Sequence, residues 1–429
     1  MGTAAWRVRA RIWLSSRMWA PVLGANLLAL GLGLMMPRFD EDVADSGLLR
    51  LALSSAEQIF GAIAAGMITF TGIVFSAVLV ATQLQTSSYS PRLAARLRRD
   101  RVVIAALALP TATATYALFA LASLGDQAHR TSSDSAPELT VVLALLLTFA
   151  TFAVFVALVQ RAFDSTQIGG ILRGLLRRGL EVIDEAHPVS EGTARGVDAR
   201  LGDVPVHEVV HEGAAGVLAS VDRSALLGLA AESGAFVEVV PRVGQYVSDG
   251  HIVMRLHGTS TPTDPGTARR VLILARQRTM DQDPAFALRI LVDIAIRGLS
   301  PAVNDPTTAV QALDRIETML FELHRRSPGP AVVADTDGEP RGVVPGPGWE
   351  EYVDLALVEI RQYGASSAQV ARRLRALHDR LLTIVAEEQR PRVERERRLL
   401  AEAVQARFPD PRERDLLSRP DPLGIGGAP

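Results

Sequence analysis

Four stretches of this chain are apolar over the length that a bilayer demands, approximately Met18–Met36, Ile59–Gln83, Val102–Leu124 and Leu139–Gln160. Crossing the hydrocarbon core takes about 20 helical residues, because every backbone polar group there must be satisfied within its own segment. Each stretch therefore predicts one transmembrane helix. The first follows Arg7, Arg9, Arg11 and Arg17 as a secretory leader would, but no small-x-small cleavage pattern comes after Met36-Pro37, so it reads as an anchor. With 48% hydrophobic residues over 429 positions the chain also has ample length for water-soluble parts.

The flanking charges agree on one topology. Arginines crowd the N-terminus, the second connection (Arg92, Arg96, Arg98, Arg99, Arg101) and the segment after the fourth span (Arg161, Arg173, Arg177, Arg178). The other connections carry Asp40, Glu41, Asp42 and Asp45, and then Asp126, Asp134 and Glu138. The positive-inside rule places the arginine-rich side, and both termini, in the cytoplasm and the two acidic connections outside. The predicted fold class is thus a membrane α-helical domain of four transmembrane helices plus a cytoplasmic α+β domain containing a small β-rich module. The expected division is 1–164 (membrane), 165–203 (juxtamembrane helix and loop), 204–275 (β-rich module), 276–410 (helical domain) and 411–429 (disordered tail).

Composition removes several chemistries. Cysteine is absent, and none of the 45 basic residues is a lysine. That excludes disulfides, thiolate metal ligands, a cysteine nucleophile, Schiff-base chemistry and a phosphate-loop lysine. A net charge of −2 gives no support for nucleic-acid binding. No cofactor or metal is called for. One motif invites the opposite reading: His207-Glu-Val-Val-His211 spells the zinc-protease pattern. That chemistry needs a helix, with the two imidazoles one turn apart. Val204, Val206, Val209 and Val210 predict a strand instead, on which the histidines stand about 13 Å apart, too far to share one metal.

Two sets of polar residues stand out. In the second span Gly66, Thr69, Gly72, Ser76 and Gln83 fall close to one helical face. Small residues and hydroxyls there serve either tight helix packing or the lining of a water-filled path in a homo-oligomer. No ionisable residue lies within the four cores, which argues against a proton relay. In the third span Pro110 beside Thr111, Thr113 and Thr115 predicts a kink whose freed carbonyls meet hydroxyls.

The second set spans Arg278 to Asp305. Asp283-Pro284 and Asp305-Pro306 each predict a capped helix start. Between them, Arg289, Asp293 and Arg297 recur every four residues on an otherwise apolar helix. Either they form an ion-pair ladder that fixes packing, or, with Arg278, Asp281, Asp283, Asn304 and Asp305, they make a site for a small anionic ligand. Further on, Gly244, Val247 and Gly250 predict a hairpin into the strand His251–Leu256, and Ser327–Gly348 reads as an exposed Pro/Gly-rich loop. Helices follow, the last at Pro391–Phe408.

The segments Gly66-Met-Ile-Thr-Phe-Thr-Gly-Ile-Val-Phe-Ser76, Tyr89-Ser-Pro-Arg92, Arg278–Phe286, Asp293–Ala309 and Glu359-Ile-Arg-Gln-Tyr-Gly364 together resemble the bacterial predicted-membrane-protein family filed as domain of unknown function 2254. The resemblance implies an integral inner-membrane protein and supplies no reaction. Three functions follow as expectations: a homo-oligomeric channel or transport-like protein gated by its cytoplasmic half, a membrane-anchored ligand-binding sensor or scaffold, and an enzyme using Asp281, Asp283 or Asp305. The last is the weakest, since no nucleophile–base pair accompanies those carboxylates.

Overall fold

The structure is a computed structural model that describes residues 19–42, 52–88, 101–128, 138–166, 168–187, 204–258 and 266–426. The arginines before Met18, the connection holding Arg92 to Arg99, the Tyr89-Ser-Pro-Arg92 motif, Asp45, Asp134 and most of the 187–203 loop lie outside the described residues. The chain divides into two compact units, Met1–Gln167 and Ile168–Pro429.

The first unit holds helices α1 (Trp19–Asp42), α2 (Leu53–Ser88), α3 (Arg101–Ala128) and α4 (Glu138–Thr166). All four are long and apolar enough to cross a membrane. Helix α3 is central, packing against the other three, with Ala112, Tyr116, Ala117 and Ala120 buried among Ala29, Phe60, Ala64 and Ala144. Small residues allow that close approach in lipid, where no hydrophobic effect drives helices together. Polar groups inside the bundle are paired. Asn26 donates to Thr111 Oγ1 (2.9 Å) and accepts from Thr115 Oγ1 (2.8 Å), and the Thr113 and Thr151 hydroxyls share a hydrogen bond. Next to Pro110, the Thr111 and Thr113 hydroxyls donate to the carbonyls of Leu107, Ala108 and Leu109. Asp40 caps α4, accepting from the backbone N–H of Leu139 and Thr140.

The second unit opens with α5 (Ile168–Ala186), whose apolar face of Leu172, Leu175, Val182 and Ile183 is buried. Then come β1 (Val206–Val210), β2 (Gly216–Val221), α6 (Arg223–Ser233), β3 (Phe236–Val239), β4 (Tyr246–Val247), β5 (Ile252–His257), α7 (Gly266–Val271) and β6 (Leu272–Ala275). The rest is α8 (Pro284–Gly298), α9 (Pro306–Arg325), β7 (Ala331–Ala334), β8 (Pro340–Val344), α10 (Trp349–Gly364), α11 (Ala368–Ile384), α12 (Arg390–Arg407) and α13 (Pro411–Ser418). One sheet has the order β1-β5-β3-β8-β7, antiparallel except for β3 with β8; the other is β4-β2-β6. Their inner faces share one core with α6, built on Leu218, Leu226, Val237, Met254 and Leu256. Helix α8 packs against α5, α9 and α10, and α11 against α9 and α12.

Three expectations need correction. The 327–348 stretch is no simple loop: β7 and β8 form a hairpin that extends the five-stranded sheet, its turn held by Asp335 accepting from Asp337, Glu339 and Arg341. Strand β4 does not pair with β5, because Gly244 N–H donates to the Leu218 carbonyl and Leu218 N–H to the Gln245 carbonyl, which ties this loop to β2. Asp249-Gly250 instead passes the chain from one sheet to the other. Helix α5 packs on α8 and α9. Residues 411–426, expected to be a disordered tail, form α13 and a segment anchored by buried Asp421, which accepts from Leu423, Gly424 and Gly426.

Candidate functional site

Both Asp-Pro pairs start helices as read from the sequence. Asp283 accepts from Phe286 N–H (3.0 Å) at the head of α8, and Asp305 accepts from Thr308 N–H (3.0 Å) and its hydroxyl (2.6 Å) at the head of α9. Between the helices Gly298 receives the Asp305 N–H at 2.7 Å, and any Cβ on Gly298 would fall 2.9 Å from the Asp305 carbonyl oxygen. Asn304 turns the chain with φ 47°, a left-handed conformation that Asn tolerates.

Asp283 is 3% exposed and Arg278 holds it in a fork, Nε to Oδ2 at 2.6 Å and Nη2 to Oδ1 at 3.2 Å. Burial pushes the Asp283 carboxyl up, while Arg278 and the α8 amides oppose that. Gly244 lies directly on this pair at φ 89°; a Cβ there would stand 2.5 Å from both Arg278 Nε and Asp283 Oδ2.

The pair opens onto a cavity of about 540 Å³ within the second unit. Its walls come from the end of α5 (Glu185, His187), the start of α6 (Arg223), the β3–β4 loop (Arg242, Val243), the head of α8, the β7–β8 hairpin and α10 (Glu351, Tyr352). Arg242 pairs with Glu351, and Arg223 donates to the Glu185 carbonyl at 3.2 Å. His187 Nε2 and the Tyr352 hydroxyl stand 3.2 Å apart. Burial, then the charges of Arg326 and Arg223, pull His187 down to about 4, so its ring is neutral near pH 7. Burial pushes the Tyr352 phenol up, with Asp283 and Glu351 adding to it.

The other predicted residues do not reach this cavity. Arg289 joins Asp293 on its own helix (Nε to Oδ1, 2.7 Å) and Glu359 of α10 (Nη2 to Oε2, 2.9 Å). Arg297 is half-buried further along α8, Asp281 is exposed and 4.0 Å from Arg178, and Asn304 is exposed. Of the eight residues singled out between Arg278 and Asp305, only Arg278 and Asp283 line the cavity.

In the first unit Gly66, Thr69, Gly72, Ser76 and Gln83 all face away from the rest of their own chain. The hydroxyls of Thr69 and Ser76 bond back to Ala65 and Gly72 carbonyls of α2. In the second unit His207 and Glu208 sit on strand β1, and Glu208 is engaged by Arg255 of β5 at 3.2 Å.

Sequence reasoning missed His187, Arg223, Arg242, Glu351 and Tyr352 as cavity residues. One local signal was available, the αL glycine at 244, which marks a backbone pressed against another group. The other residues are far apart in the chain and carry no motif.

Four membrane-length helices followed by a mixed helical and sheet region define the class: a membrane protein with a substantial unit beyond its spans. More narrowly, the chain belongs to the family described as predicted membrane protein, domain of unknown function 2254, which matches residues 15–379. Uncharacterized proteins of Mycobacterium bovis and Mycobacterium tuberculosis are each 29% identical to it over 407 residues, covering 91% of this chain and 77% of the relative. No solved structure matches the chain.

Proposed function

We propose that this protein is a membrane-anchored sensor whose second unit, on the cytoplasmic side, binds a small anionic molecule in the cavity beside Arg278 and Asp283. The observation that supports this reading is the cavity itself. At about 540 Å³ it falls in the range of small-molecule sites, roughly 300–1,000 Å³, and it combines apolar walls with a few convergent polar groups. Its charges are mostly spoken for: Arg278 by Asp283, and Arg242 by the half-exposed Glu351. Arg223 has a carbonyl and no carboxylate partner among the described residues. A ligand carboxylate or phosphate would therefore take Arg223 and compete with Glu351 for Arg242, an exchange of partners that couples binding to the contact between the β3–β4 loop and α10. The cytoplasmic placement rests on the arginine-rich flanks of the spans.

A thermal-shift panel of anionic metabolites on the full-length, detergent-purified protein tests this. A stabilising hit that is lost in both Arg223→Gln and Arg242→Gln is expected. Hits that survive both changes would place binding elsewhere.

The outward face of α2 supports a second reading, a homo-oligomer in which Gly66, Thr69, Gly72 and Ser76 meet their counterparts or line a path. A monomeric size in detergent together with no conductance after reconstitution would remove it.

A further inference from the structure

A second site lies on the far helices of this unit and does not depend on the sensor reading. Helix α13 is capped by Asp410, which accepts from Arg412 N–H at 2.8 Å, and buries Leu417 against α11 and α12. The segment after it is tied down: Arg372 of α11, 1% exposed, donates to the carbonyls of Arg419 (3.1 Å) and Gly426 (3.3 Å). The three helices enclose a cleft of about 200 Å³. Leu400, Val404 and Leu417 form its apolar floor, and Arg375 of α11 and Arg414 of α13 line it with Gln405 and Ser418.

The two guanidinium groups are poorly served. The Nε of each is shut off from water and has no hydrogen-bond partner among the described residues. Buried N–H donors are otherwise almost always paired. The carboxylate facing Arg375, that of Asp379, is 3.8 Å away and already taken by Arg397 Nε at 2.6 Å. Among the described residues no carboxylate lines the cleft. The positive field extends to the adjacent buried His378: burial first, then Arg397, Arg375 and Arg361, pull its imidazole down to about 3.

We infer that this cleft binds a small organic carboxylate, with the terminal guanidinium N–H groups of Arg375 and Arg414 on its oxygens and its hydrocarbon body against Leu400, Val404 and Leu417. Guanidinium groups match carboxylate geometry, and the apolar floor selects an anion with a hydrocarbon part over a bare oxyanion. The size sets a limit as well. At about 200 Å³ the cleft is smaller than drug-sized sites of roughly 300 Å³ and more, which favours a small acid over a nucleotide.

Fluorobenzoate followed by fluorine NMR on the full-length protein in detergent tests the inference, with fluorobenzyl alcohol as an uncharged control for micelle partitioning. The expected result is saturable broadening of fluorobenzoate alone, reversed by benzoate and not by inorganic phosphate. It should be lost in Arg414→Gln, and also in Ala401→Phe, which fills the rim of the cleft while keeping both charges. Equal broadening of the alcohol, displacement by phosphate, or full binding in either folded variant would overturn it.

Discussion

Replacing Glu359 by Gln separates the two meanings of the charged stripe on α8. Arg289 spans two helices, held by Asp293 on its own and by both carboxylate oxygens of Glu359 on α10. The side chains are 21%, 19% and 39% exposed, so the cluster is half-buried. Exposed pairs contribute about 0.2–1 kcal/mol, whereas breaking a fully buried one costs about 3–5 kcal/mol. A forked, partly shielded contact lies between, and Glu359→Gln should cost about 2 kcal/mol. For a unit of this size that is a fall in Tm of about 4–8 °C. Trp349, 7% exposed and the sole tryptophan of the second unit, reports the transition by fluorescence in full-length protein. Arg289 holds the Glu359 carboxyl below the usual carboxylate range. A carboxyl with a lowered folded pKa contributes stability that is present above its unfolded pKa and is lost as pH falls through the folded value. The gap between wild type and variant should therefore close in acid. If Glu359→Gln moved Tm by less than about 1 °C yet abolished binding across the anion panel, the ladder would be a site and this reasoning would fail.

Three further changes test neighbouring parts of the account. Gly244→Ala should cost more than about 1–2 kcal/mol, because the left-handed backbone disfavours a side chain and the new methyl meets the Arg278–Asp283 pair; an unchanged Tm would contradict the close approach. Asp305→Ala removes the cap of α9 and should cost about 1 kcal/mol, with Asp305→Ser recovering most of it in the same melt. His378→Leu should stabilise by about 1 kcal/mol, since both ring nitrogens are buried without a partner among the described residues. His378 has a lowered folded pKa, so the wild type loses stability as pH drops below about 6.5, and His378→Leu should remove that part of the acid sensitivity; a lower Tm for this variant at pH 7 would refute the assignment.

What the sequence disclosed was what local chemistry determines. Bilayer-length apolar runs specify α1 to α4, and an Asp-Pro pair names its own helix start because cap and first residue are adjacent. Glu359 shows where that stops: it lies 70 residues beyond Arg289, so the charge stripe was visible and its partner was not. The β7–β8 hairpin was hidden for the same reason. Its short strands sit in a Pro/Gly-rich stretch and are stabilised by the parallel pairing of Val237 with Gly342, about a hundred positions apart in the chain. The cavity was least legible of all, because His187, Arg223, Arg242 and Tyr352 come from four separate elements and mean nothing until packed. The tail misled through composition, since its few buried groups, Leu417 and Asp421, act against Arg372 and the α11 face.

The sensor account needs the second unit to lie in the cytosol, and the absence of native cysteine makes that directly measurable. Ser366→Cys, at an exposed position between α10 and α11, and Ser133→Cys, between α3 and α4, can each be probed with a membrane-impermeant maleimide on intact cells. The account predicts that position 133 is labelled from outside and that position 366 is labelled only after the membrane is opened. Labelling of position 366 in intact cells would contradict it.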